Sequence, residues 1–470
     1  EFRRVLFRSG RVQGRTFWDL PLGAHARELP RDDYVDYACG TNGGPPSVVL
    51  QGWSDYARCP RDTTGDLREV YFRYDDELEF IDKARSPDDT IVEGTTEFRQ
   101  PIIVSGLFDA NGFLVGTRLV TDPRSPPSVR ERAANLFEAI RARFGAADWS
   151  CADLPRGDGE TPYRNLQNKR RCERTDETAG LRLALEQHFY RKAGQATIDP
   201  VTGDPTAGQF ISETRFERVL LRLIADPQSR LAAIREPPPT PVQSLALRVR
   251  DCPGCDLKDV NLKRADLRGA KLAGADLSGA TLHAANLAGA DLTGAKLAGA
   301  NLNRADLRQA KLAGADMSGG LLYAARLDGA DLADADLTNV LARTVQMSGV
   351  RAPRLIAAGA DLRNARMLNA DLTDADLAQA AIREVQLSRS NLSGAKLYDA
   401  QLWRANLSGS NLTSVQAQGA EFIGADLRGA DLSGGDFTEA DLRQSVFSGD
   451  MKTEGANFER AELPPGFPAR

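Results

Sequence analysis

The chain has 470 residues, with 60 basic and 65 acidic side chains and a formal net charge of −5. A balance this close to neutral excludes a polybasic nucleic-acid tail and an extreme anionic surface. The length accommodates two or three domains, and no apolar stretch reaches the roughly 20 residues that a membrane-crossing helix needs.

Residues 1–9, EFRRVLFRS, read as a translated sequencing adapter and are set apart from the fold; this leaves a signal peptide open. Residues 10–235 carry no repeat. SVVLQGW (47–53) and EVYFRY (69–74) read as strands, and 102–122 reads as a β-hairpin in which Asn111-Gly112 supplies the positive φ angles of a tight turn. Ser128, with Glu131 three positions later, opens a helix along which Val129, Ala133, Leu136, Ile140 and Phe144 recur at helical spacing, and Gly145 ends it. Two more helices are expected: 178–191, with Leu181, Leu185 and His188 on one face, and 213–225, stopped by Pro227. Strands followed by helices without regular βαβ alternation predict an α+β domain.

Cys39 and Cys59, and Cys151 and Cys172, are spaced 20 and 21 positions apart. An even count in a loop-rich segment predicts two disulfides and an oxidising compartment, periplasmic or secreted. The alternative is four buried thiols in a cytoplasmic domain. Cys252 and Cys255, in DCPGCDL, lack the second ligand pair that zinc requires and read as core residues of the first coil or as a local bridge. The first half has no GxSxG elbow, phosphate-cradling glycine loop or HExxH. His25, His188 and His283 are scattered, and the acidic loops 153–162 and 198–209 read as turns rather than cation sites. No catalytic, cofactor or metal residue is assigned. The expectation is a protein that is not an enzyme, with an enzymatic first domain as an alternative.

EPPPTPVQ (236–243) reads as a stiff linker. A repeat occupies 244–463, and 464–470 is a tail. From Leu257 to Phe447 an apolar residue falls at every fifth position, 39 in one frame, with a small residue two positions earlier. A period of five fits neither the helix nor the flat strand, so the chain must turn after each pentad and stack into a solenoid. The A(D/N)LxG beat, as in ADLSGA and ANLAGA, resembles the pentapeptide-repeat family. That resemblance implies a right-handed quadrilateral parallel β-helix with twenty residues per coil, in which ten coils span roughly 48 Å.

VLARTVQMSGVRAPRLIA (340–357) breaks the leucine pattern without breaking the frame. Its central positions are Ala342, Met347, Ala352 and Ala357, and the preceding inward positions, normally alanine, are Val340, Val345, Val350 and Leu355. Large and small exchange places over one coil, which conserves core volume. Val415 with Ala417 repeats the exchange once. At the C-terminus the frame shifts by one, and Pro464, Pro465 and Pro468 remove donors from the last edge. The first domain or its connector is expected to cover the other end.

Sorted by twenty-residue phase, one outward column is small, from Ala273 through Ala313 to Ser433. Another reads Lys263, His283, Asn303, Tyr323, Arg343, Arg363, Arg383, Trp403, Ile423 and Arg443, with Arg264, Arg304 and Arg404 one position later. Aligned Trp, Tyr and Arg are the types enriched at binding hot spots. The leading reading is therefore a binding or scaffold protein that meets a protein partner there, and charge reversal at Arg343, Arg363 and Arg383 is expected to abolish capture without changing the melting temperature. Members of the resembling family that imitate B-form DNA and protect DNA gyrase need a strongly anionic rod. Residues 251–470 carry 24 basic and 28 acidic side chains, a net of only −4, which disfavours that role. The same balance disfavours nucleic-acid binding by the arginine column.

Overall fold

A computed structural model of the chain describes residues 16–468 apart from 31–33, 43–45, 63–65, 86–94, 99, 126, 131–132, 163–167, 192–209, 223–225 and 235–240. The chain forms two units: Glu1–Asp76 with Val92–Pro238, and Glu77–Ile91 with Pro239–Arg470. Helix α1 (Glu77–Arg85) thus belongs to the second unit, although its neighbours in sequence belong to the first. The adapter-like residues 1–9, Glu131, the loop 198–209 and most of the linker lie outside the described residues.

The first unit is a nine-stranded antiparallel sheet of β1 (Tyr34–Cys39), β2 (Arg68–Tyr74), β3 (Thr96–Glu97), β4 (Gln100–Phe108), β5 (Leu114–Thr121), β6 (Ser150–Asp153), β7 (Asn168–Asp176), β8 (Leu181–Tyr190) and β9 (Ile211–Leu220). Its order is β1-β2-β4-β5-β9-β8-β7-β6, with β3 on β4. The near-continuous apolar runs of β4 and β5 place them at the centre, buried on both faces. The expected hairpin is there with a different turn. Of its two residues only Gly112 has positive φ, at 86°, while Asp109 Oδ1 accepts from the backbone N–H of Asn111 and of Phe113 at 2.9 Å each. A Cβ at Gly112 would also meet the Tyr56 ring at 2.6 Å.

Two expected helices are strands. Leu181 and Leu185 fit both periods because four is an even spacing as well as a helical one, and Leu183 between them decides for β8, whose burial alternates. In β9 the alternation is carried by Ser212, Thr214, Phe216 and Arg218, of which all but Phe216 are polar and passed over by a hydrophobic count. Pro227 starts a helix rather than ending one. The 47–53 run is not a strand either: it makes a single bridge, Ala38 to Val49, and Val49 is 71% exposed. The expected helix is present as α2 (Ala133–Arg143), with Leu136 and Ile140 buried and Gly145 at φ 83°. Ser128 already lies within a preceding helical turn, Pro127–Arg130, instead of capping from outside. α3 is Pro227–Ala233, capped by Asp226, whose Oδ1 accepts from Ser229 N.

Both edges of the sheet are stapled. Cys39 at the end of β1 is bonded to Cys59, and Cys151 of β6 is bonded to Cys172, its direct cross-strand partner on β7. Edge strands have the fewest backbone partners, so a bridge there fixes the strand that is easiest to peel away. Between the edges, Arg118 on β5 reaches Glu69 on β2 and Glu217 on β9 at 2.7 Å each. Burial raises the Glu217 carboxyl pKa, but Arg118 and Arg215 outweigh it and hold the group below the usual range. Arg218 is buried, which lowers its pKa to about 10, and its guanidinium donates to the carbonyls of Phe17, Trp18 and Leu20.

The second unit is the repeat. α4 (Pro241–Val249) takes in the last three residues of the expected linker, and its Ala246 and Val249 join the core of the first coil. The end of the solenoid is thus covered by the connector. From Asp251 onward, residue i bridges residue i+20 in parallel on four ladders, so each twenty-residue coil stacks on the last as in a β-helix. The central residue and the one two positions before it both point into the core. Each pentad closes with a turn in which the N–H of residue i+3 donates to the central carbonyl, as Ala290 does to Leu287 at 2.9 Å.

The exchanged coil keeps these ladders: Ala342, Met347, Ala352 and Ala357 donate to the next coil at 2.7–2.8 Å. The larger residues open the turns instead. Val345, Val350, Leu355 and Val415 donate to their turn carbonyls at 3.3 Å. After Phe447 one extra residue enters, and Asp431, Asp436 and Asp441 bridge Lys452, Asn457 and Glu462, now 21 positions away. Phe467 closes this end against Phe447 and Phe458. Cys252 and Cys255 are bonded in the first coil.

Candidate interaction surface

A pentad turn of this type needs positive φ at its third residue, which favours glycine. The corner that follows Gly254 has glycine at six of its ten such positions. The corner that follows Lys263 has glycine only at Gly424, and Arg264, Ala284, Arg304, Ala324, Thr344, Asn364, Glu384, Arg404 and Gln444 hold the other nine with φ of 54–60°. A non-glycine residue in that region costs on the order of 1 kcal/mol. Such strain concentrates where side chains are needed for something other than stability. This corner is the one bearing the basic-aromatic column.

The first five rungs of the column, Lys263 to Arg343, seat helix α1. Lys263 Nζ lies 3.3 Å from Glu77 Oε2, and Asn301 Nδ2 donates to Glu77 Oε1 at 3.3 Å. Three residues along the helix, the Phe80 ring sits between His283 and Tyr323, with centroids 5.7 and 5.8 Å away, and under the Arg304 guanidinium at 4.9 Å. Asn303 is fully buried and satisfied on both sides: its Nδ2 donates to the Phe80 carbonyl at 3.1 Å and its Oδ1 accepts from Tyr323 N at 2.8 Å. At the far end Arg343 donates to the Lys83 and Ala84 carbonyls. A cation there meets the negative end of the helix dipole. The helix therefore has its acid, its aromatic and its last carbonyls each matched to a rung.

The other five rungs face solvent to a greater degree. Arg363 forks onto Asp361 at 2.6 and 2.8 Å, Arg383 stacks on the Trp403 ring at 4.2 Å, and Trp403 is 37% exposed. Arg404 reaches Glu384 at 3.8 Å, and Arg443 pairs with Asp441 and Glu462. The contrast is large: the side chains of Lys263 and Arg343 are 15% and 8% exposed, those of Arg404 and Arg443 79% and 58%. Arg264 is half-buried at the first turn of the same corner.

Two features went unread in the sequence. Carboxylates stand beside most of these arginines, so the column is close to neutral rather than a basic stripe. Helix α1 was not anticipated, although outward positions 321 and 341 are leucine where Asp, Asn or Lys is common, and Leu321 is 6% exposed on the ladder that includes Asn301. An outward leucine in a solenoid is a sign that something covers it. The expected charge reversal at Arg343 is revised accordingly, since that side chain holds α1.

The family model of pentapeptide repeats matches in 8 copies over residues 251–283, 285–322, 358–394, 395–434 and 410–449. The stretch it leaves between 322 and 358 contains the exchanged coil, and the first 250 residues are unmatched. HetL, a pentapeptide repeat protein involved in heterocyst differentiation regulation from the cyanobacterium Nostoc, is 31% identical over 47% of this chain and 95% of its own, with a TM-score of 0.21. QnrB1, a plasmid-mediated fluoroquinolone resistance protein, is 21% identical over 44% and 92%, with a TM-score of 0.17. A pentapeptide repeat protein of the Arabidopsis thaliana thylakoid lumen is 24% identical over 28% and 73%, with a TM-score of 0.10. No curated protein is significantly similar to the chain.

Proposed function

We propose that this chain, whose C-terminal region belongs to the pentapeptide-repeat family, is a non-enzymatic binding protein. Its right-handed, four-sided rod presents the corner from Arg363 to Arg443 to a protein partner. The observation that carries this reading is the exposed Trp403 under the Arg383 guanidinium, at a corner where nine of ten turn positions forgo glycine. Tryptophan and arginine at the centre of a rigid surface are the residues that dominate interface energetics. The neighbouring ion pairs make the surface mixed in charge, which suits a protein better than a nucleic acid. Among the described residues no helix is long and apolar enough to cross a membrane.

A photo-crosslinking residue at Trp403 tests the reading against one at Ala313, in the column of small residues. In the native host, a discrete protein adduct at 403 and none at 313 is the expected result; equal labelling at both sites contradicts it. The three bonded cysteine pairs support an oxidising compartment, periplasmic or secreted. Differential alkylation and mass spectrometry of protein taken from that host would find Cys39, Cys59, Cys151 and Cys172 protected, and four free thiols would return the protein to the cytoplasm.

A further inference from the structure

The ten rungs of the corner divide into two sets of five with related chemistry. The first set begins with a cation, Lys263, carries an aromatic, Tyr323, and ends with an arginine, Arg343. The second begins with Arg363 and Arg383, carries Trp403 and Ile423, and ends with Arg443. The backbone of the corner repeats throughout, with φ of 54–67° at the third residue of every turn. The rungs lie about 4.8 Å apart, so each set offers about 19 Å along the rod, room for a helix of nine residues at about 13.5 Å plus the reach of its end side chains.

From this continuity we infer that the second set is a second helix seat, and that the docking element of the partner is an amphipathic helix bearing an acidic residue in its first turn and an aromatic three positions later, as Glu77 and Phe80 do in α1. The inference rests on the binding role proposed above and names the kind of element bound. Rung for rung Arg363 answers to Lys263, but it is forked onto Asp361, so Arg383, one rung along, is the cation that would meet the first-turn carboxylate. Its Nε is buried without a hydrogen-bond partner, while its guanidinium lies over Trp403, an arrangement that offers a donor and an apolar face side by side. Trp403 and Ile423 would take the aromatic side chain, as His283 and Tyr323 take Phe80. Arg443 would meet the last carbonyls. Its pairing with Asp441 is no obstacle, because Arg343 caps α1 with Asp361 Oδ2 3.7 Å from its own Nε. The occupant comes from another protein, since the chain's own α1 is already seated.

A fluorescein-labelled peptide of residues 75–86, DDELEFIDKARS, serves as the probe, titrated by anisotropy into the full chain. It should bind the unaltered chain and bind about tenfold more weakly after Arg383→Glu or Trp403→Ala in the chain, or after Glu77→Lys in the peptide. Tyr323→Ala in the chain should leave this binding in place. Circular dichroism of each variant confirms folding, and the two separate chain substitutions guard against one failing to fold. No binding to the unaltered chain overturns the inference. So does binding that ignores Trp403→Ala and rises on Tyr323→Ala, because the peptide would then only be replacing α1. Crosslinking at 403 without peptide binding leaves the binding role standing with a non-helical partner, whereas absence of both removes the role itself.

Discussion

The covered and open halves of one corner share a backbone, a twenty-residue period and a set of side-chain types, yet they behave differently. Over the first five rungs the polar groups are matched to a helix of the same chain. Over the last five Arg363 and Arg443 turn to carboxylates within the rod, Arg383 lies on the Trp403 ring, and the tryptophan faces water. The difference teaches that in a solenoid the fold sets where a side chain projects but not what it is for. Only a covering element, or its absence, separates a structural column from a binding one.

The largest expected effect lies at the boundary between the halves, in the exchanged coil that carries Arg343. Val345→Ala removes a fully buried side chain whose neighbour Ala342 is already small, and should cost about 2–3 kcal/mol. Ser348→Ala, at a half-buried outward position of the same coil where the hydroxyl has no hydrogen-bond partner, should cost less than about 0.5 kcal/mol. Equal shifts in thermal melting would show that volume is not what holds the frame there. Phe80→Ala comes next. Phe80 is partly buried, so a loss of about 2 kcal/mol is expected, confined to the covered half and read as loss of protection at Tyr323 in hydroxyl-radical footprinting.

Acid should weaken both halves alike. The Arg268 side chain bonds Asp266 and lowers its pKa to about 2, and Arg308, Arg428 and Arg443 lower Asp306, Asp426 and Asp441 in the same way. Because these carboxyls hold protons less readily when folded, the unfolded chain takes up protons first as pH falls. Their contribution is complete above about pH 4 and fades towards pH 2. Denaturant melts across that window should show the rod losing stability throughout. A rod unchanged from pH 5 to pH 2 would mean that the ion pairs are inert, as exposed pairs often are. The smallest effect on stability belongs to Trp403→Ala, less than about 0.5 kcal/mol. Its effect is expected on binding instead.

The repeat was legible because its signal is redundant: a leucine every fifth residue over ten coils leaves one frame, and even the exchanged coil could be read by following volume instead of residue type. The first unit offered no such redundancy. The Leu181–Leu185 spacing served two periods equally, and the polar residues that alternate along β9 were invisible to a hydrophobic count. The column at Lys263 could be read by sorting phases. Its covering helix could not, because α1 ends at Arg85, 178 positions before its first seat at Lys263 and 258 before its last at Arg343, and no local pattern ties the two. The outward leucines at 321 and 341 were the available sign.

Amide hydrogen exchange across residues 77–85 tests the asymmetry most directly. A nine-residue helix with no tertiary support is marginal in water, so α1 can be protected only if it is seated. The account predicts slow exchange in the unaltered chain and fast exchange after Tyr323→Ala, with Trp403→Ala leaving α1 protected. Fast exchange in the unaltered chain, or protection that survives Tyr323→Ala unchanged, would contradict it.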